Sequence, residues 1–124
     1  MLKIELDEVA SIAILSPEGE LVKSDFISVA KTIDPYIERV GELKGIIIHV
    51  QSFPGWDSFS SLIAHLKFVR AHHKKVSRIA FVTDSPIGRF AENIASHFVN
   101  AKIKNFKFSE LETSRKWILE NEDD

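Results

Sequence analysis

The chain contains no cysteine, which removes disulfides, thiolate catalysis and cysteine-ligated zinc, and fits a reducing interior. It also lacks a strong excess of either charge. Sixteen Lys and Arg against eighteen Asp and Glu leave a net charge of -2, the wrong sign for a sequence-independent nucleic-acid binder. Its apolar runs fall far short of the roughly 20 residues that a membrane-spanning helix needs. Met1 to Asp7 alternates like a strand and has no apolar stretch of the signal-peptide kind. Gly-x-Ser-x-Gly, the Walker A pattern and Gly-x-Gly-x-x-Gly are all missing, so a nucleophile elbow and the common nucleotide-binding loops have no support. There is no internal repeat and no low-complexity linker. These absences point to a cytoplasmic protein with no cofactor, no nucleic-acid partner and no transmembrane segment.

What is present is ordinary in amount and informative in pattern. The 124 residues are 44% hydrophobic and 27% charged, enough to bury a real core in one domain. Leu2, Ile4 and Leu6 alternate with Lys3, Glu5 and Asp7, the period of a half-buried strand. Asp7 and Glu8 form a turn into a second strand from Val9 to Leu15. Ser16-Pro17-Glu18-Gly19 then breaks the pattern. Ser24 or Asp25 caps a first helix, on which Phe26, Val29, Ala30, Ile33, Ile37 and Val40 follow helical spacing. Pro35 inside it should kink the helix or start a new turn, and Gly41 is its stop.

Gly45-Ile-Ile-Ile-His-Val50 is nearly continuous and β-branched, so it reads as a strand buried on both faces of a largely parallel sheet. A helix follows from about Asp57 to His73, with Phe59, Leu62, Ile63, Leu66 and Val69 on one face. Arg78 to Thr83 is the next buried strand, and Ser85-Pro86 opens a further helix. Ile103 to Phe108 alternates as the last strand. Ser109 to Glu112 is a capping box for a terminal helix holding Trp117 and Ile118. Alternation of strands and helices of this kind means α/β: a single domain over residues 1–119, with a mostly parallel or mixed β-sheet and about four helices. Residues 120–124 form a charged C-terminal tail.

The end of a central parallel strand is where such sheets place ligand and partner sites. Here that end leads into Phe53, Pro54, Gly55, Trp56, Asp57, Ser58 and Phe59. The two large aromatics beside a Pro-Gly turn either offer an apolar anchor to a partner or ligand, or fold back over the core. The helix start at Asp57 also has free backbone amides, a general property of helix starts.

The layout resembles the STAS domains, the fold of bacterial anti-sigma-factor antagonists, and more closely their SpoIIAA-like relatives of uncharacterised function. Leu15-Ser-Pro-Glu-Gly-Glu-Leu21 looks like the family's strand-end turn before its first helix. Gly45 to Val50 matches its central strand. Asp57-Ser58 falls where regulatory members have Asp-Ser-Ser-Gly, whose second serine is phosphorylated. This chain has Phe59 at that position, so the pattern departs from the switch. Ser52, Ser58, Ser60 and Ser61 remain chemically able to accept phosphate, Ser58 and Ser60 being the nearest to the pattern. The resemblance implies a non-enzymatic, regulatory or protein-binding module.

Other chemistry was weighed against this. Of five histidines, His65 and His72 share a helix face but lie ~10 Å apart along it, and His72 and His73 diverge by about 100°. Neither pair suits one metal ion, so no metal site is expected. His49 reads as a hydrogen-bonded strand residue. Ser52, Ser58 and His49 lack an acidic orienter, so no catalytic residue is assigned. Asp84 follows a strand, where acids do act in parallel-sheet enzymes, yet Asp84-Ser85 also reads as a turn with an N-cap. The cations from Lys67 through Arg78 suit a solvated helix end or an acidic partner. Lys102, Lys104 and Lys107 mark an outward face. Nine phenylalanines, among them Phe26, Phe59, Phe68, Phe81, Phe90 and Phe98, either fill the core or line a cavity for a small apolar, lipid-like ligand. A homodimer through the aromatic loop is compatible with both readings.

Overall fold

Apolar side chains that alternate on an edge strand and run unbroken on a central one can be buried in only one way, by a sheet with helices against it. The computed structural model describes residues 2–19, 22–52, 76–85 and 102–120. Within them lies a five-stranded sheet in the order β1-β2-β3-β4-β5. The strands are β1 (Leu2–Asp7), β2 (Ile12–Pro17), β3 (Leu43–His49), β4 (Val76–Val82) and β5 (Lys102–Phe106). β1 is antiparallel to β2, and the remaining neighbours are parallel. The sheet is therefore mixed. Two helices fall among the described residues, α1 (Lys23–Val40) and α2 (Leu111–Leu119). The helices expected over residues 57–73 and from Pro86 onward lie outside them.

Each face of the sheet has its own core. Val29, Ile33, Tyr36 and Ile37 of α1 share one helical stripe and pack with Ala13, Leu15, Ile46, Ile48, Ile79 and Phe81. On the other face Ile12, Ile14, Ile47, Ala80, Val82 and Phe106 meet Ile118, with Leu111 and Trp117 at the margin. β3 and β4 contribute to both clusters, which is why their sequences are continuous rather than alternating.

Several boundaries differ from the expected ones, each for a local reason. The second strand begins at Ile12 and not at Val9, because residues 8–11 form the turn. The Asp7 carboxylate accepts the N–H groups of Val9 (3.1 Å) and Ala10 (3.0 Å), an Asx-type arrangement, and Val9 is left wholly exposed. Ser11 closes the turn at φ +61°. It is held there by the Tyr36 hydroxyl, which donates to its Oγ at 3.0 Å, and by its carbonyl, which accepts the Lys44 N–H at 2.8 Å.

Pro17 ends β2 rather than breaking it. It pairs with Leu2 of the edge strand, while pairing to β3 has already ceased at Leu15, so its missing N–H interrupts no ladder there. β3 and β4 start earlier than expected because Leu43 and Val76 are buried and paired.

α1 is capped at Val22, not at Ser24 or Asp25. Asp25 instead sits in the first turn and accepts the Val22 N–H at 2.8 Å. Pro35 starts no new helix, and α1 continues to Val40. Both Pro35 and Lys31, whose carbonyl loses a donor, are exposed, so the helix carries its proline on the solvent side. Gly41 ends the helix at φ +97°, donating its N–H to Ile37, the left-handed cap that glycine adopts without strain. The predicted Ser109–Glu112 capping box does not form. Residues 107–110 close a turn first: Glu110 accepts the Lys107 N–H at 2.8 Å through its carboxylate, and α2 begins after it at Leu111.

Candidate functional site at the C-terminal strand ends

The C-terminal ends of β3, β4 and β5 are stitched together by a short chain of hydrogen bonds. Val50 N–H donates to Val82 O at 3.2 Å, Thr83 N–H to Phe106 O at 2.9 Å, and Asp84 N–H to Gln51 O at 3.2 Å. The Thr83 hydroxyl also donates to Gln51 O at 3.2 Å and accepts the Ser85 N–H at 3.1 Å. Thr83 is 3% exposed, so this buried polar residue has its needs met by two strands at once. Gln51 and Ser52, exposed, continue the chain from that fixed stem.

His49 shares the strand parity of Ile47 and so lies on the α2 side of the sheet. Its ring stacks on Phe108 with centroids 4.5 Å apart and planes 11° apart. Its Nε2 lies 3.3 Å from the Phe108 carbonyl, so Nε2 carries the proton that this bond needs. The hydrogen-bonded imidazole expected from sequence is thus present, half-buried. Its partner was not foreseeable: 59 residues separate His49 from Phe108, and only strand order brings them together. Asp84 is exposed and accepts the Phe108 N–H at 3.1 Å. It builds the junction between the β4 and β5 ends.

Phe53, Pro54, Gly55, Trp56, Asp57, Ser58, Phe59, Ser60 and Ser61 lie outside the described residues, as do His65, His72, His73 and the cations from Lys67 to Lys75. Among the described residues no group of three or more His, Asp or Glu is placed to hold a metal ion. No helix among them is long and apolar enough to cross a membrane.

Arg78 departs from the sequence reading. It is 5% exposed, not part of a solvated basic end. Its Nη1 donates to the Trp117 carbonyl at the end of α2, and its guanidinium lies over the Trp117 ring at 5.2 Å. Trp117 in turn meets Phe106 at 5.8 Å, and Lys104 covers Phe106 at 5.3 Å. Lys102, Lys104 and Lys107 are exposed as expected.

A mixed five-stranded sheet with a helix on each face fits an α/β domain of the STAS type. The chain belongs to the SpoIIAA-like family, whose model matches residues 12–119. Comparison with curated proteins and with solved structures gave no match.

Proposed function

We propose that this protein is a regulatory module that acts by binding another protein, without catalysing a reaction, through the segment that leaves β3 at Ser52 and includes Phe53, Trp56 and Phe59. Family membership over most of the chain is the observation that carries the reading. The stem supports it. Gln51 O accepts from both the Thr83 hydroxyl and the Asp84 amide, so a segment starting there is presented from a rigid base, and a rigid base lowers the ordering cost of binding. Trp56 is its proposed anchor. Ser58 and Ser60 are its proposed phosphate acceptors, since phosphorylation there would add charge to the same segment.

No observation favours the apolar-carrier reading. Phe81 is completely buried within the α1-side core, and the side chains of the other five candidate phenylalanines lie outside those described.

Native mass spectrometry of the protein purified gently from its host tests this reading. The expected species are the bare chain, an integer multiple of it, or a complex with a second polypeptide. A phosphate-sized increment on Ser58 or Ser60 would add the switch. A persistent small apolar adduct at one per chain would overturn the reading in favour of a carrier.

A further inference from the structure

At the opposite, N-terminal edge of the sheet, Glu42, Lys44, Ser77, Arg78, Ile118, Leu119 and Glu120 line an open groove. Arg78 is the unusual member. A guanidinium has five N–H donors, and burying its charge is costly unless it is paired and hydrogen-bonded. Among the described residues Arg78 makes one hydrogen bond, to Trp117 O. Its nearest carboxylate, that of Glu120, stays at 3.9 Å, beyond hydrogen-bonding reach. The bond to Trp117 accounts for one donor. The rest of this buried cation forms part of the groove wall.

The surroundings carry both signs: Lys44 and Ser77 offer donors, and Glu42 and Glu120 are carboxylates. Lys44 and Ser77 are exposed beside the groove. Lys102 is the register partner of Arg78 on β5, so the two project from the same side of the sheet. Glu120, with a side chain 65% exposed, approaches as a carboxylate drawn to the guanidinium but not seated on it. We propose that this groove binds a small oxyanion, a phosphate or carboxylate group, seated on Arg78. Lys44 and Ser77 support it, and Glu120 acts as the internal competitor that the ligand displaces. Neither proposal depends on the other.

Trp117 is a built-in reporter because Arg78 lies over its ring. The chain has two tryptophans, so a Trp56→Phe background isolates its fluorescence. Sodium phosphate and sodium acetate are titrated into that protein, with sodium chloride at matched ionic strength as the reference. The expected result is a saturable change at millimolar phosphate. Glu120→Gln should tighten it and Lys44→Met weaken it, each by roughly twofold to fivefold, the span of one partly exposed charge interaction. Both substitutions are at exposed positions, so the test does not require Arg78 itself to be replaced. Saturation by acetate at lower concentration than by phosphate would identify the ligand group as a carboxylate, and saturation by phosphate alone as a phosphate. A response no different from chloride, or one unmoved by both substitutions, would overturn the proposal.

Discussion

Asp7 joins three parts of the molecule. Its carboxylate caps the β1–β2 turn through the Val9 and Ala10 amides and pairs with Arg115 of α2 at 2.6 Å, tying the hairpin to a helix more than a hundred residues away in the chain. The Ala10 amide first, and then Arg115, hold its pKa below the ordinary carboxylate value. Asp25 is likewise held low, chiefly by the Val22 amide. The sign follows directly. A carboxyl more acidic in the folded than in the unfolded chain stabilises the fold above its unfolded value, about 3.9, and that stabilisation fades as pH falls through the folded value. Thermal melts between pH 5 and 2, a range of roughly three units around that value, should therefore drop more steeply for the wild type than for Asp7→Asn. Parallel curves would contradict this. At His49, replacement by Leu removes the bond to Phe108 O and should cost about 1 kcal/mol, or a few degrees in Tm, as calorimetry would show. An unchanged Tm would mean that neither the bond nor the stacking on Phe108 contributes to stability. The partnerships with Phe108 and Arg115 were not legible in the sequence, because residue types can be read locally while partners this distant arrive only through the topology.

The elements themselves were largely legible. Apolar patterning identified every described strand and α1, the continuous Ile46-Ile47-Ile48 run correctly marked a strand covered on both faces, and α2 was expected from a capping box that does not form. Ends were less legible, since they depend on competing hydrogen bonds. Asp7 turned the chain before Ile12, Asp25 bonded back to Val22, and Glu110 satisfied Lys107 ahead of the expected capping box. One element-scale contact is unusually tight. A Cβ added at Gly45 would lie 2.6 Å from Ile118 Cγ2, so the glycine lets α2 approach β3. Gly45→Ala should cost about 1–3 kcal/mol by overpacking, and Ile118→Ala, at a position 4% exposed, about 2–5 kcal/mol through the cavity it leaves. Urea denaturation of the two single variants and the double variant checks the contact. Because removing Ile118 relieves the clash, the double variant should lose less than the sum of the two. Strict additivity would show that Gly45 matters for another reason.

At the scale of the molecule, strand order could not be read from the sequence, because pairing between strands far apart in the chain leaves no local pattern. The structure supplies it, and with it the two distinct ends of the sheet. The C-terminal strand ends carry a hydrogen-bonded stem at Gln51, Thr83 and Asp84; the N-terminal ends carry the buried Arg78. The expected site residues, Phe53 to Phe59, lie outside the described residues, and what the structure describes beside them is the stem. The most direct test of the partner-binding account is affinity capture from the host with wild-type protein, Trp56→Ala, and Lys31→Ala as a control on the exposed surface of α1, each first shown to be folded by circular dichroism and thermal melting. The account predicts one identifiable polypeptide held by the wild type and by Lys31→Ala and lost from Trp56→Ala. Retention of that same polypeptide by folded Trp56→Ala would contradict it.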